Sequence, residues 1–459
     1  MRKSVFLFQF FIISLVGFAQ SFDTVLLRDN GPSDKRINLV VLGDGYDMDE
    51  QDVFMDDATE LVDYLFTIPP FSNYSEYFNV YAIKVISPES GVKHPGTATD
   101  VTEPVFPISN PDNYLETTFD YQDIHRCIYT PNLHKTTQVL ATNVPFYDEA
   151  FVVVNSPEYG GCAGLYSYFS KHESANQILI HELGHSFSGL ADEYWFAPTG
   201  ERPNKTQDNN PQTNRWRNWI GTENVGIYPF DEDPSWYRPH QNCLMRSLGN
   251  SFCAVCTEAT IERIHQLQDP IESFSPLEEE VEIGEQNMNF EVSLIFPEPN
   301  NLEFSWTLNS NSIEEQNTIV SITASELEEG NNTLVFSVVD NTPLVRTDNH
   351  HAIHVNTVSW TIQKETLGIE SIEVAENSFV LYPNPSADVV FVKSNHSLTT
   401  NLNFELITTT GQLAKKGSMN LNEMEAFAID LTDLSSQVYI LNVYDVYANK
   451  LYTQRIIKK

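Results

Sequence analysis

The chain has 459 residues, with 26 lysine and arginine residues against 63 aspartate and glutamate residues. The formal net charge of −37 argues against nucleic acid and anionic membranes as partners, because both repel a strongly acidic protein. The length suits a catalytic core with two appended modules. Acidic loops could also hold structural Ca²⁺, an expectation that no EF-hand pattern supports.

The amino terminus has the pattern of a secretory signal peptide. Arg2 and Lys3 precede an apolar run over residues 5–18, and the small residue Ala19 offers a cleavage site. The run is shorter than a comfortable membrane span, and no later stretch approaches about twenty apolar residues. The sequence therefore predicts a signal peptide over residues 1–19 and an exported protein without a transmembrane segment.

Four elements are predicted between the signal peptide and residue 160. Residues 37–42, 78–86 and 149–155 are apolar runs of strand length, whereas residues 49–66 repeat apolar residues at helical spacing. These patterns predict three buried strands and one amphipathic helix.

A helix with metal-binding character is predicted next. Apolar residues recur at helical spacing over residues 178–187, Ser174 and Gln177 have the spacing of a capping box, and Gly189 offers a stop. The helix contains the sequence His181-Glu182-Leu183-Gly184-His185.

The two histidines of this helix suit a catalytic zinc ion. Positions i and i+4 lie on one face of a helix, so His181 and His185 can both reach one metal ion. Three protein ligands leave a fourth position for water, whose pKa zinc lowers to about 7. Glu182 is the predicted base, which would accept the water proton and pass it to the departing amine.

The third ligand is predicted among the acids that follow. Metzincin-type zinc peptidases continue as HExxHxxGxxH, but the glycine comes one residue late here, at Gly189. The step from Gly189 to Asp192 keeps the spacing from glycine to ligand, and a carboxylate can bind zinc. Asp192 is the predicted ligand, with Glu193 as the alternative. The acid that does not bind the metal would accept the outer ring N–H of a ligand histidine.

Other residues are candidates for supporting roles. Tyr194, Tyr237 and His240 could each donate a hydrogen bond to the oxyanion or to the substrate. Met245, some fifty residues after the helix, matches the methionine that lies beneath the zinc ion in metzincins, although a single methionine also serves as core filler.

Five cysteines allow at most two disulfides. Cys243 could pair with Cys253 or Cys256 and so fix the turn around Met245. The rival interpretation is a structural zinc ion held by these three thiolates, which export to an oxidising compartment disfavours.

Several motifs together resemble the IgA-peptidase family of secreted bacterial zinc metallopeptidases. The resemblance covers roughly residues 25–270 and rests on residues 42–46 (LGDGY), 159–161 (YGG), 181–194, and 243–246 (CLMR) with Cys253 and Cys256. It implies a zincin fold, one catalytic Zn²⁺, and endopeptidase activity with the ligands and base named above. It does not imply cleavage of immunoglobulin.

An exposed strand beside the helix binds extended substrate in zincins by main-chain pairing. Residues 150–154 are the predicted substrate strand. The alternative is a core strand, since five apolar residues in a row also suit a strand covered on both faces.

Two β-rich modules are predicted after residue 270. Short alternating stretches over residues 271–367 predict an immunoglobulin-like β-sandwich, in which His350, His351 and His354 are expected to be solvated. Residues 376–459, which begin around the sequence LYPNP and end in RIIKK, resemble the C-terminal sorting domain of type IX secretion. That resemblance implies outer-membrane secretion machinery as a partner and a final location in the medium or at the cell surface.

The predicted fold class is an α+β, metzincin-like zincin domain over residues 20–270, followed by two all-β sandwich modules. The predicted function is that of a secreted zinc-dependent endopeptidase acting on proteins or peptides. The alternative is a surface adhesin or glycan-binding protein with an idle zincin scaffold. A narrower alternative is hydrolysis of another acyl substrate, because zinc, water and a glutamate would serve either reaction.

Overall fold

The computed structural model describes residues 20–100, 107–195, 200–284, 287–315, 317–364, 379–394, 401–420, 426–444 and 450–459. The predicted signal peptide and the predicted start of the last module at residue 376 lie outside these residues. Contacts divide the chain into two units, residues 1–364 and 365–459. The boundary predicted at residue 270 therefore falls inside the first unit and stays a prediction.

Among its described residues, the first part of the first unit contains eight strands and four α-helices. The strands are β1 (Thr24–Arg28), β2 (Ile37–Asp44), β3 (Phe78–Ile83), β4 (Glu149–Val154), β5 (Gly161–Ala163), β6 (Ser167–Ser170), β7 (Tyr228–Pro229) and β8 (Tyr237–Arg238). The helices are α1 (Gln51–Leu65), α2 (Leu133–Asn143), α3 (Ala175–Ser186) and α4 (Ala254–Leu267). Strands β1 to β6 form one sheet in the order β1-β3-β2-β4-β6-β5, and β7 pairs with β8.

The six-stranded sheet has helices on both faces. Its inner strands β3, β2, β4 and β6 run parallel, whereas β1 and β5 pair antiparallel at the two edges. Every residue of β2 and β4 is buried. Their side chains alternate between two clusters, one shared with α1, α3 and α4 and the other with α2. Strands buried on both faces are expected to be continuous apolar runs, as these are.

The predicted substrate strand over residues 150–154 is wrong. These residues form β4, which lies between β2 and β6 in the middle of the sheet. Their unbroken apolar run reflects coverage on both faces, which is the alternative weighed above. The edge strand beside α3 is the three-residue strand β5.

The second part of the first unit is a β-sandwich. It comprises β9 (Ile271–Ser275), β10 (Glu280–Ile283), β11 (Met288–Leu294), β12 (Leu302–Leu308), β13 (Asn311–Ile313), β14 (Ile319–Ile322), β15 (Asn331–Asp340), the helix α5 (His350–Ile353) and β16 (Asn356–Lys364). One sheet has the order β10-β16-β15-β12-β13 and the other β14-β11-β9. Trp306 and Trp360 are fully buried in the core between them.

The β-sandwich packs against the first part of the unit through buried polar contacts. The hydroxyl of Tyr74 donates to Asp340 (2.5 Å), and that of Tyr77 donates to the carbonyl oxygen of Ile295 (2.9 Å).

Expectation and structure differ for the histidines near residue 350. His350 and His354 are buried against Glu262 of α4, at 2.7 and 2.6 Å, whereas His351 is exposed. The acidic partner stabilises two imidazoles that the sequence alone placed in solvent.

The second unit is also a pair of sheets. Its strands are β17 (Phe379–Tyr382), β18 (Val389–Ser394), β19 (Asn401–Thr408), β20 (Leu413–Asn420), β21 (Phe427–Asp430), β22 (Val438–Tyr444) and β23 (Lys450–Ile457). The orders are β17-β18-β21 and β20-β19-β22-β23, around an apolar core that includes Val390, Leu406 and Leu441.

The protein is thus rich in strands with few helices, and its carboxyl-terminal region is a β-sandwich. Among the described residues, none of the helices combines the length and apolar character that crossing a membrane requires.

Candidate metal centre

Helix α3 carries the HExxH sequence on a largely buried segment. Ile178, Leu179 and Leu183 pack in the main core and fix the rotation of the helix. The predicted capping box does not form: Ser174 makes no side-chain cap, and Gln177 instead accepts a hydrogen bond from the backbone N–H of Gly249 (2.7 Å). Gly189 has φ of +66°, a left-handed conformation that glycine adopts without strain and that redirects the chain after the helix.

Backbone acceptors orient both histidine rings. Nδ1 of His181 donates to the carbonyl oxygen of Leu244 (3.1 Å), and Nδ1 of His185 donates to that of Leu190 (2.9 Å). These bonds assign the proton of each neutral ring to Nδ1. Each Nε2 atom is therefore left with a lone pair that can bind a metal ion.

Three acceptor atoms converge beside α3. The Nε2 atoms of His181 and His185 are 3.2 Å apart, and Oδ1 of Asp192 lies 3.2 and 3.3 Å from them. Ligands placed tetrahedrally about 2.0–2.1 Å from one zinc ion would be about 3.3–3.4 Å apart. Oδ1 of Asp192 is buried and has no hydrogen bond of acceptable geometry to any described residue. The set of atoms therefore fits a divalent cation.

Protons compete with a cation for these atoms. Burial lowers the pKa of His185, but the adjacent Asp192 carboxylate outweighs burial and raises that pKa to about 9. Burial raises the pKa of Asp192, but the adjacent His181 and His185 side chains outweigh burial and hold that pKa below its usual range. Metal binding here would release protons.

The carboxyl groups of Asp192 and Glu193 lie in different surroundings. Asp192 lies with the two histidines, whereas the carboxyl group of Glu193 is fully buried and accepts a hydrogen bond from Nδ2 of Asn204 (3.1 Å). The geometry favours Asp192 over Glu193 as the third ligand. Glu193 does not contact the ligand histidines' outer N–H groups, which bind backbone carbonyls instead.

Glu182 is buried next to the three acceptor atoms and faces a cavity that His181 also lines. Burial raises the pKa of Glu182, while the neighbouring histidines oppose that effect. A carboxylate with a raised pKa is a better proton acceptor near neutral pH than an exposed one.

Met245 packs against α3 at Gly184. Its side chain is fully buried, and a Cβ atom on Gly184 would come within 2.6 Å of its sulfur. The carbonyl oxygen of Met245 also accepts a hydrogen bond from the backbone N–H of Glu193 (2.7 Å).

A cleft of about 640 Å³ opens over the three acceptor atoms and Glu182. Tyr194 lines it and stacks on the ring of His181 at a centroid distance of 6.5 Å. Tyr237 and His240 are not among the described residues that line it. Tyr237 instead pairs through its backbone with Thr206, and Nδ1 of His240 accepts a hydrogen bond from the backbone N–H of Asn242.

Arg126 is a cleft residue that sequence reasoning missed. It is exposed, lines the cleft with Glu182 and Tyr194, and places its guanidinium group 5.9 Å from the centroid of the Tyr194 ring. A disulfide between its neighbour Cys127 and Cys162 of β5 fixes this loop to the edge strand. Cys127, next to Arg126, is the sequence feature that could have pointed to this loop. Its disulfide partner Cys162 is identified only by the three-dimensional structure.

The disulfide predicted from Cys243 does not form. Cys127 pairs with Cys162, and Cys243, Cys253 and Cys256 are buried free thiols.

Comparison with known families identifies two regions of the chain. Residues 25–224 match the family model described as IgA Peptidase M64. Residues 380–459 match the Secretion system C-terminal sorting domain. Both resemblances drawn from the sequence are confirmed: the chain carries a peptidase-family region and a type IX sorting domain, which supports export across the outer membrane.

Comparison with whole proteins adds little. No curated protein matches the chain. Among solved structures, the chain is similar to a Bacteroides ovatus mixed-linkage glucan utilization locus protein, SGBP-B, bound to a heptasaccharide (11% identity, 39% of this chain and 42% of that chain, TM-score 0.15). It is also similar to Parabacteroides merdae β-glucuronidase (9% identity, 49% and 28%, TM-score 0.15). The chain spans less than half of either structure, and at these TM-scores neither match supports a shared fold or activity.

Proposed function

We propose that residues 20–270 form a zincin-type catalytic domain and that the protein is a secreted zinc-dependent endopeptidase. The observation that carries the proposal is the convergence of Nε2 of His181, Nε2 of His185 and Oδ1 of Asp192 within 3.3 Å of one another, beside buried Glu182. The match of residues 25–224 to the model of a peptidase family also supports it.

His181, His185 and Asp192 would hold the metal ion, with Glu182 next to the open position. A bound zinc ion would lower the pKa of a water molecule to about 7 and polarise the scissile carbonyl group. Glu182 would take a proton from the attacking water and deliver it to the amine that leaves, a role that its raised pKa favours.

Two residues of the cleft could stabilise negative charge on the substrate oxygen. Tyr194 and Arg126, whose side chains end in a hydroxyl and a guanidinium group, both line the cleft beside Glu182. The sequence offered Tyr194, Tyr237 and His240 as donors. Of these three described residues only Tyr194 lines the cleft, so Tyr237 and His240 are not proposed as donors.

Substrate would bind at the part of the edge strand β5 around Ala163, because the outward N–H of Gly161 already donates to the carbonyl oxygen of Arg126 (2.9 Å). Gly160 and Gly164 flank this strand and bond on the side of β6. The carbonyl oxygen of Gly160 accepts a hydrogen bond from the N–H of Ser170, and the N–H of Gly164 donates to the carbonyl oxygen of Tyr166. Since alternate residues of an antiparallel strand bond to opposite sides, Ala163 directs its N–H and C=O away from β6. An extended peptide could pair there by adding a strand to the sheet.

The test combines metal content with turnover. Zinc is measured by elemental mass spectrometry, and cleavage is measured on a mixture of unfolded proteins before and after chelation. We expect Glu182→Ala to retain the metal and lose about 10²–10⁴-fold in kcat. Asp192→Ala should lose much of the metal, whereas Glu173→Ala, which changes an exposed acid just before α3, should change neither quantity.

A fully active Glu182→Ala protein would disprove the mechanism. Folded protein that neither binds zinc nor cleaves any substrate would favour the scaffold alternative instead. Cleavage of ester or amide substrates without cleavage of peptides would identify a different acyl substrate.

A further inference from the structure

Three cysteines and one glutamate form a second cluster of ligand atoms in the core. Cys243 precedes Met245, Cys253 caps α4, Cys256 lies in its first turn, and Glu193 follows Asp192. Cys243, Cys256 and Glu193 are 0% exposed and Cys253 is 6% exposed. One potential ligand atom from each of the four lies within 4.8 Å of the others.

The spacing of these atoms suits a tetrahedral zinc site. Sγ of Cys243 is 3.6 Å from Sγ of Cys256, and Sγ of Cys256 is 3.3 Å from Oε1 of Glu193. Around one zinc ion, with Zn–S of about 2.3 Å and Zn–O of about 2.1 Å, the sulfurs would be about 3.8 Å apart and sulfur and oxygen about 3.6 Å. Adjustments of a few tenths of an ångström would bring these two pairs to zinc-bound distances, and every pair of ligand atoms in the cluster already lies within 4.8 Å. The spacing Cys-x-x-Cys at residues 253–256 is also typical of structural zinc sites.

The described residues satisfy the hydrogen-bonding capacity of the buried Glu193 carboxyl group only in part. Oε1 accepts a hydrogen bond from Asn204, but Oε2 is buried without a hydrogen-bond partner among the described residues. Burying a carboxyl group with an unpartnered oxygen destabilises the folded state. A cation at the centre of the cluster, bound through either carboxylate oxygen, would offset the cost of burying this group.

A disulfide accounts for the cluster less well. Cys127 and Cys162 already pair with each other, so a bond between any two of the remaining three cysteines would leave the third as a buried thiol. It would also leave Oε2 of Glu193 unsatisfied. A metal ion would use all four side chains.

We propose that Cys243, Cys253, Cys256 and Glu193 bind a structural zinc ion. Four protein ligands would close the coordination sphere, so that this ion would have no open position for water and no part in the chemistry. It would connect the segment after Asp192 to the Met245 turn and to the start of α4. The inference does not depend on the proposed peptidase activity, because none of its ligands lines the cleft over Glu182 among the described residues.

The first test counts zinc ions in the full-length protein. We expect about two zinc ions per wild-type chain, about one in His185→Ala, and about one in Cys256→Ser. The double variant Cys127→Ser/Cys162→Ser removes two cysteines outside the cluster and should keep both ions. One zinc ion in wild type that His185→Ala removes and Cys256→Ser retains would overturn the second site and leave the catalytic site standing. The reverse pattern would overturn the catalytic site alone.

A second measurement tests the site in wild-type protein, so that the proposal can still be tested if the cysteine variants do not fold. Wild-type protein reconstituted with Co²⁺ should show thiolate-to-cobalt charge-transfer absorption in the near ultraviolet, and His185→Ala should retain it. Three thiols should react with an alkylating reagent only after denaturation with a chelator, without any reductant. Cobalt-loaded protein without that absorption, or a thiol count that rises above one only after reduction, would overturn the proposal in favour of a disulfide.

Discussion

The close approach of the edge strand β5 to α3 gives the sharpest test of the cleft geometry. A Cβ atom on Gly161 would lie 2.5 Å from Cγ2 of Ile178 and 3.0 Å from Oε1 of Glu182. Ordinary carbon–carbon contacts are about 3.5–4.0 Å, so Gly161→Ala requires a displacement of about 1 Å. Overpacking of this kind costs about 1–3 kcal/mol, and an error of about 1 Å near reacting groups can cost about 10²-fold in rate.

We therefore expect Gly161→Ala to lower the free energy of unfolding by about 1–3 kcal/mol and kcat/KM by about 10–100-fold, with zinc content unchanged. Urea unfolding, peptide cleavage and elemental analysis measure the three quantities. Ile178→Ala removes the atom of closest contact. The double variant should therefore be more stable than the sum of the single effects predicts, by about 0.5–3 kcal/mol. Strict additivity, or a Gly161→Ala protein with wild-type stability and activity, would refute the steric argument.

Three further predictions follow from the contacts. Met245→Ala should lower the free energy of unfolding by about 2–5 kcal/mol, because it empties a fully buried site under α3; denaturant titration measures it. Arg126→Ala should reduce kcat/KM more than Arg126→Lys does, with the melting temperature unchanged, because the guanidinium group is exposed in the cleft. Burial opposes the charged forms of both members of the Glu262–His350 pair, but their mutual interaction lowers the pKa of Glu262 and raises that of His350. Glu262 contributes stability above its unfolded pKa of about 4.5, and this contribution is lost as the pH falls through its lower folded pKa. His350 contributes stability below its unfolded pKa of about 6.5, and this contribution is lost as the pH rises through its higher folded pKa. Their joint contribution should therefore be largest between these two values, and His350→Gln should flatten the loss of stability that the wild-type protein shows as the pH rises above about 6.5, measured by denaturant titration.

Local patterns predicted the parts of the site that depend on neighbouring residues in the chain. The positions of His181 and His185 on one face of α3 follow from helical geometry, and the strand and helix spans before residue 160 agree with β2, α1, β3 and β4 to within a few residues. The choice of Asp192 rests on the same kind of argument, because the chain reversal at Gly189 is local.

Features set by contacts distant in sequence were not predictable in the same way. An apolar run does not reveal the order of strands in a sheet, so the run in β4 predicts a substrate strand at the wrong place. The three residues of β5 carry no apolar signal. Cys127 and Cys162 are 35 residues apart, and their pairing depends on the loop that carries Arg126. His350 and His354 are buried only because Glu262, some ninety residues earlier, faces them.

The three residues 243–245 contact three parts of the candidate metal centre. The carbonyl oxygen of Leu244 orients His181, that of Met245 holds the backbone of Glu193 next to Asp192, and the Met245 side chain packs under Gly184. If Cys243 binds a structural zinc ion, that ion fixes the same segment from its other side. Loss of the structural ion should then weaken binding of the catalytic ion even though the two share no ligand. Such coupling would appear as a lower zinc affinity of the His181 site in Cys256→Ser than in the Cys127→Ser/Cys162→Ser control.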